Sequence, residues 1–445
     1  MDIGLLQLDL INKSKKYQNL SKKLKVDITK DANNYITSFG KVPGYVILKS
    51  FKEKKLLFVE KIITFLKNFF SISRTSGYRL YNFQNIGKFK TLIISWAAVN
   101  DFKNDGTYRD SYFRTNSKNY KDILWVLLST DGILPKKIDK NITILFQKSA
   151  GQINILYLLK IFFLKIIACK FSIRTLISSL SFYSHLSEII LKKIHSVFKN
   201  ENLDLVIMPY EAQPFQNYLF KSVKKIKKKV KTVGYVHSTH PYPIHLLYRD
   251  GAPDKLLVHG ADQKYHCIKY LNWPKNSLKL IPSLRFKKKD KFNFKNKIFL
   301  PYYISNEDFY VMEFEKIILS FRNKTIKPLE IANHPHMKKS KSHLKLIKRL
   351  SLVILENKKI FSSKVNKSIT FVFGGTSIVL EALERKYSFM HICGEPIFES
   401  YSNALWPNIK VNKINNNTYK YSLKKSETCI KFSNRRDLFE KNCLN

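Results

Sequence analysis

Residues 371–386 read FVFGGTSIVLEALERK. Three apolar residues stop at Gly374-Gly375, and Thr376-Ser377 then open a run with helical spacing. A strand, a glycine turn and a hydroxyl-capped helix start make one βα unit. At such a junction the first backbone N–H groups of the helix point into open space, and the helix end carries roughly half a positive charge. An anion is the natural ligand there. The glycines let the backbone turn sharply and come close to a ligand, while the two hydroxyls cap the helix or bind phosphate oxygens. An ordinary Ser/Thr cap without a ligand gives the same pattern, so the unit speaks for a fold class before it speaks for a function. No Walker A lysine follows, and the chain has no G-x-G-x-x-G, which weighs against NTP hydrolysis and dinucleotide redox chemistry.

Outward from this unit the same alternation recurs. Continuous apolar runs begin at Gly44 (GYVILK), Thr91 (TLIISW), Ile123 (ILWVLL), Ile142 (ITILF), Leu203 (LDLVIMPY), Lys231 (KTVGYVH) and Asp254 (DKLLVHG). Such runs suit strands covered on both faces, as in parallel sheets. Helix patterns such as YSHLSEIILKKIHSVFK (183–199) lie between them. The expectation is α/β: two Rossmann-like doubly wound domains facing a cleft. A charged stretch without apolar period, KKKDKFNFKNK (287–297), reads as the linker or crossover. The boundaries placed on this basis are 1–289, 290–410 and an Asn/Lys-rich tail, 411–445, of loop and frayed or packing-back chain.

Composition limits the partners. The 445 residues are 44% hydrophobic and 13% aromatic, a globular balance with room for two or three domains. Net charge is +46, from 79 Lys+Arg against 33 Asp+Glu. That field attracts polyanions, anionic headgroups or phosphorylated small molecules. Lys, Asn and Ile dominate together, as drift in an AT-rich genome produces, so charge alone does not assign nucleic acid. The lysines are spread along the chain, and neither a zinc finger nor an RNP-type aromatic run is present. No specific nucleic-acid partner is expected. Five cysteines without a C-x-x-C pair argue for a reducing compartment and against a disulfide framework or zinc site. The first residues, with an acid at position 2, hold too short an apolar run for a secretory signal, and a cytoplasmic location is expected.

One stretch bears on membranes. INILYLLKIFFLKIIACK (153–170) is apolar almost all round, but Lys160 and Lys165 make it a poor spanning helix. A buried helix and an interfacial helix whose lysines reach headgroups both fit. KIITFLKNFFSISR (61–74) is a weaker copy. Peripheral attachment to the cytoplasmic membrane face is the expectation it raises.

Chemistry-bearing residues sit at presumed strand ends. His334-Pro335-His336 follows an apolar run, where proline stops the strand and leaves His334 at the carboxyl edge of the sheet. An imidazole there donates to a phosphate oxygen, and Lys338, Lys339 and Lys341 add field. Glu211 directly follows LDLVIMPY, and His237 takes the equivalent place after the next strand. A carboxylate or imidazole so placed accepts a proton from a hydroxyl. His237, His240 and His245 lack a carboxylate or cysteine at ligand spacing, so no metal is expected.

A resemblance covers roughly residues 100–400. PDKLLVHGADQKYHCIKYLNWPKNSLKLIPSLRF (253–286) resembles the signature of bacterial surface-polysaccharide glycosyltransferases of the two-Rossmann (GT-B) type. YEAQPFQ (210–216), GYVHST (234–239) and LLY (246–248) resemble the E-N-Q-x-W-E and G-x-Q-H-S/G-T run of surface carbohydrate biosynthesis proteins, as in capsule and lipopolysaccharide assembly. GTYRDSYF (106–113) resembles their G-x-Y-x-D-R-Y-F, with Asp110 at the matching acid. The HP and Ser/Thr motifs resemble those of bacterial sialyltransferases, Kdo transferases and glycerophosphotransferases, which hold the donor's cytidine nucleotide there. Carried over, His334, Pro335, Gly374, Gly375, Thr376 and Ser377 would bind nucleotide; Glu211, His237 and Asp110 would serve catalysis. Phe215 stands where Trp is usual, and Ser283-Leu284-Arg285 lacks the usual Gly. The acidic pair before Gly that supplies the sialyltransferase base is half-matched twice, at Asn104-Asp105-Gly106 and Arg249-Asp250-Gly251. The base stays open among Glu211, Asp105, Asp110 and Asp250.

The resemblance implies a metal-independent glycosyltransferase without a cofactor. It would move a sugar from a nucleotide-activated donor, CMP-linked among the donor classes implied, to a surface glycan or lipid-linked acceptor. The alternative keeps the fold without chemistry, as a non-catalytic partner in a polysaccharide assembly complex.

Overall fold

The structure is a computed structural model and describes residues 2–40, 42–53, 57–83, 89–147, 153–169, 172–334, 337, 340–435 and 437–444. Two α/β sheets organise it. The N-terminal domain begins with helices α1 (Ile3–Lys23), α2 (Pro43–Ser50) and α3 (Leu57–Ser71), then an edge strand β1 (Tyr78–Tyr81). The parallel strands are β2 (Thr91–Ala97), β5 (Ile123–Ser129), β6 (Ile142–Gln147), β7 (Leu205–Pro209), β8 (Lys231–Tyr235), β9 (Lys255–Val258) and β10 (Leu278–Leu280). A two-residue ribbon, β3 (Arg109–Asp110) with β4 (Thr115–Asn116), interrupts the first crossover. Helices α4 (Ile155–Ala168), α5 (Ile173–Ser179), α6 (Phe182–Phe198), α7 (Pro214–Ile226) and α8 (Ala261–Lys269) complete the domain.

Sheet order is β1-β6-β5-β2-β7-β8-β9-β10, parallel throughout except for antiparallel β1. The first parallel strand therefore lies in the middle, and the chain winds outward from it twice. Burial explains why these runs became central strands. Leu92, Ile93, Trp125, Val126, Leu127, Val206 and Ile207 are sealed on both faces, each side chain contributing roughly 1.5–3 kcal/mol.

The second domain holds β11 (Lys297–Phe299), α9 (Glu307–Leu319), β12 (Glu330–Ala332), α10 (Lys341–Glu356), β13 (Phe371–Phe373), α11 (Ile378–Glu384), β14 (Met390–Ile392), α12 (Pro396–Glu399), β15 (Ile409–Lys413) and β16 (Thr418–Leu423). Its order is β12-β11-β13-β14-β16-β15, with the first four parallel and the β15–β16 hairpin antiparallel. The doubly wound pair expected from the sequence is present.

Two expectations need correction, and two open alternatives are decided. GYVILK is helix α2, because Pro43 at the first helical position presets φ for a helix, and a six-residue apolar run cannot itself tell strand from helix. The boundary at 410 falls inside the last hairpin, since the second sheet continues to Leu423. The 287–297 stretch is a pinned crossover rather than a free linker: Phe294 is buried, stacked on Phe292 and Phe299, and Asp290 pairs with Arg114 at 3.0 Å. The tail packs back. Backbone amides of Glu427, Cys429 and Ile430 donate to Glu384, Lys431 exchanges hydrogen bonds with His259 and Ser283, and Phe439 buries against Phe113 and Tyr120.

α1 bolts the two domains together. Gln7 donates to the carbonyls of Ile397 and Ser400 (3.0 and 3.1 Å) and accepts from Ser402 at 2.6 Å. α4 is not the buried helix that was one alternative, for of its side chains only Leu158 and Ile161 are buried. No helix among the described residues is long and apolar enough to cross a membrane.

Candidate active site between the two sheets

In the first sheet the chain leaves β2 toward β5 on one side and later returns as β7 on the other. The carboxyl ends of β2 and β7 thus open a crevice where ligands of such sheets collect. Glu211 stands at that point, two residues past β7, and His237 stands two past β8.

The turn that presents Glu211 is built tightly. Gln216 accepts from the amides of Glu211 and Gln213 (both 3.0 Å) and donates to the Pro209 carbonyl at 2.6 Å. Ala212 sits at φ +52°, and its carbonyl accepts from the buried Arg249 guanidinium, which also reaches the Asn34 carbonyl. A non-glycine residue in that conformation costs about 1–3 kcal/mol, which the surrounding bonds offset.

So held, the Glu211 carboxylate meets His237 Nε2 at 3.4 Å and accepts from Gln213 at 2.8 Å. Burial alone would raise its pKa. The His237 hydrogen bond and charge, Gln213 and the field of His245 outweigh burial and bring it down to about 2. The Tyr112 ring meets His237 edge-on, centroids 4.4 Å apart, and His237 Nδ1 is buried without a hydrogen-bond partner. The neighbouring imidazoles are pushed toward the neutral form by burial, His240 to about 4 and His259 to about 3.

Asp110 behaves differently. It is fully buried, and both oxygens are engaged: one accepts from the amides of Tyr112 and Phe113 (2.8 and 2.7 Å), the other from Ser95 and Tyr108 (2.7 and 2.8 Å). Its carboxylate ties the β3 ribbon to β2 and positions Tyr112 beside His237. Asp105 and Asp250 are exposed, paired with Lys118 at 2.7 Å and Lys221 at 2.6 Å. Each precedes a glycine at positive φ, Gly106 at +92° and Gly251 at +81°. The two half-matched acidic motifs are therefore tight turns, with Asp105 accepting from the Thr107 amide in the usual Asx manner.

The second sheet has its own switch point, between the carboxyl ends of β11 and β13. Gly374 has φ +62°, and a Cβ there would lie 2.6 Å from the Tyr310 hydroxyl and 2.9 Å from Pro301 Cγ, so glycine is required. Gly375 faces the other domain, where a Cβ would approach Pro241 Cδ at 3.9 Å. Thr376 and Ser377 are half-buried. Ser377 occupies the cap position without making a side-chain cap bond, and α11 starts at Ile378 and has only 7 residues. The helix is shorter, and its cap weaker, than the sequence suggested. His334 lies past β12, its ring edge-on to Tyr302 with centroids 5.3 Å apart. Pro335, like His336, Lys338 and Lys339, lies outside the described residues.

The two switch points face each other. Burial, and after it the Glu211 charge, raise the Tyr302 hydroxyl pKa. Trp406 donates to the Pro241 carbonyl at 2.8 Å, and Tyr45 donates to Glu395 at 2.7 Å, fixing the two loops across the gap. Beneath the glycine turn, Glu399 accepts from Tyr310 (2.9 Å) and from the Gly394 amide (2.6 Å), and burial lifts its pKa to about 7. The structure thus places Glu211 and His237 at the strand ends of the first sheet and His334, Gly374, Gly375, Thr376 and Ser377 at those of the second, and it engages both Asp110 oxygens within the first domain.

No family model and no curated protein sequence matches the chain. Among solved structures it is similar to a glycosyltransferase from Rickettsia africae ESF-5, at 12% identity over 72% of this chain and 86% of that one, with a TM-score of 0.33. It is also similar to the apo form of the lipopolysaccharide outer core galactosyltransferase WaaB, at 10% identity over 67% and 79%, with a TM-score of 0.29. At these values the likeness carries no argument about activity, which must come from the site.

Tyr112, Tyr302, Gln216 and Glu399 were missed by sequence reasoning. Tyr302 lies three residues past β11, and a residue just past a parallel strand was the available signal. Nothing in EPIFES (395–400) marks Glu399. Among the described residues no group of three or more His, Cys, Asp or Glu side chains is arranged to hold a metal ion.

Proposed function

We propose that the protein transfers a glycosyl group from a nucleotide-activated donor to a hydroxyl of a glycan or lipid-linked acceptor. One observation carries this reading: a carboxylate–imidazole pair at one Rossmann-like switch point opposes a glycine turn and a histidine at the other. In the first domain, His237 turns Nε2–H toward Glu211 and accepts the acceptor's proton at Nδ1, the ring nitrogen without a partner, as the acceptor oxygen attacks the anomeric carbon. The resulting imidazolium rests beside Glu211, which stays ionised down to about pH 2. In the second, the open backbone around Gly375, the Thr376 and Ser377 hydroxyls and His334 receive the nucleotide phosphate and stabilise the charge that develops on it as the glycosidic bond breaks. Asp110 holds Tyr112 in place and takes no proton. The HP-type motif supports a CMP-linked donor.

Calorimetric titration with CMP, CDP, UDP and GDP tests the reading. Binding of one of these is expected, weakened at least tenfold in His334→Ala with an unchanged circular-dichroism spectrum. Silence across all four would favour the non-catalytic alternative.

A further inference from the structure

The outer side of the first domain carries an apolar surface that glycosyl transfer does not use. Half of the large apolar side chains that the described residues leave exposed fall within 59–70 and 153–177. On α3 they are Val59, Ile62, Ile63, Leu66 and Phe70. On α4 they include Leu156, Phe163 and Ile167, exposed to 80%, 60% and 71%. The two helices are held side by side: Phe69 meets Phe162 edge-on, and Ile72, Leu158 and Ile161 form a small shared core beneath them. α4 is also pinned from behind by the Lys165–Glu188 ion pair and by Tyr157 against His185 at 2.9 Å, which fixes its other side outward. Monomeric soluble proteins rarely expose a contiguous surface of this kind.

The charges around it select the occupant. Lys61 and Lys67 on α3, Arg74 in the turn after it and Lys160 on α4 are exposed, and Glu60 is the sole acid in residues 57–77 and 153–177. A second copy docked by two-fold symmetry would set these cations against their own equivalents on a chain of net charge +46. An anionic bilayer offers apolar depth and opposite charge together. α4 has 14 residues, about 21 Å of helix, too short to span a hydrocarbon core of about 30 Å. The geometry points to α3 and α4 as a membrane-docking face that lies in the headgroup–acyl boundary of an anionic leaflet, with its lysines at the phosphates.

The face borders the candidate site. α2 packs against α3, and its Tyr45 ring meets Tyr303, the neighbour of Tyr302, at 5.9 Å. A lipid-borne acceptor entering from this edge would rest on the glycosyl-transfer reading; docking itself does not.

Flotation of the full chain tests it, with vesicles of phosphatidylcholine alone and of phosphatidylcholine mixed with phosphatidylglycerol. Two triple variants of exposed residues accompany it, Leu156→Ser/Phe163→Ser/Ile167→Ser and Lys61→Glu/Lys67→Glu/Lys160→Glu, each checked for an unchanged unfolding midpoint. The chain should float with the anionic vesicles, and each variant should lose roughly tenfold or more in partitioning. The proposal is overturned if the native chain stays with the lipid-free fraction, if the serine variant floats equally well, or if light scattering shows a dimer that the serine variant dissolves. Because the nucleotide titration uses no lipid, failure of one leaves the other standing.

Discussion

Replacing Glu399 by glutamine should change how stability depends on pH, with a sign opposite to that of most carboxylates. Glu399 is buried under the glycine turn, where its oxygens accept from Tyr310 and from the amides of Gly394 and Glu395. Burial raises its pKa from 4.5 to about 7. Between those values the folded chain keeps a proton that the unfolded chain has released, so stability falls as pH rises through the window and levels off above about 7. At 1.36 kcal/mol for each pH unit the effect is roughly 3 kcal/mol. Glu399→Gln keeps a carbonyl oxygen for the Gly394 amide and loses the titration. Urea unfolding of both proteins, from below pH 4.5 to above pH 7, should show the variant gaining on the native chain by about that amount. Parallel curves, or a native chain that gains on the variant, would refute the reasoning.

Glu211→Gln removes the charge opposite His237. Sugar transfer should fall by about 10²–10⁴, with a stability deficit at neutral pH that closes as pH drops from 4.5 toward about 2, the reverse of the Glu399 trend. Asp110→Asn keeps an acceptor for the Tyr112 and Phe113 amides and should leave turnover within about tenfold, whereas Asp110→Ala strands buried donors and should cost roughly 2–4 kcal/mol by urea midpoint. A large turnover loss in the asparagine variant at native stability would return Asp110 to the chemistry. Gly374→Ala should destabilise by about 1–3 kcal/mol for the backbone alone, more with the 2.6 Å approach to Tyr310, and an unchanged midpoint would contradict the turn geometry.

The strands that became sheet centres were legible because both faces are covered, which removes the alternation that would otherwise mislead. TLIISWA and ILWVLLS pair in register over their whole length. GYVILK failed since its composition fits either element, and Pro43 decided it locally. The β15–β16 hairpin escaped notice because its outer face is polar and lysine-rich, so it reads as tail. Glu211, His237 and His334 could be placed at strand ends from the sequence because each lies just after an apolar run, and the structure puts them past β7, β8 and β12. Asp110 entered through a motif resemblance, which carries no information on its partners; the four donors, from Ser95, Tyr108, Tyr112 and Phe113, are visible only in the folded chain. Tyr302 and Glu399 depend on tertiary approach, which no local pattern encodes. The same holds for α4, whose outward apolar face follows from the Glu188 partner on α6.

Hydrogen exchange, read by mass spectrometry with and without the nucleotide that titration selects, probes both strand-end clusters at once. Slowed exchange is expected at 299–304, 331–334 and 373–379 of the second domain and at 209–213 and 236–241 of the first, because the ligand would lie between them. Protection confined to other surfaces, or none at saturation, would contradict a nucleotide seat at the junction of the two sheets.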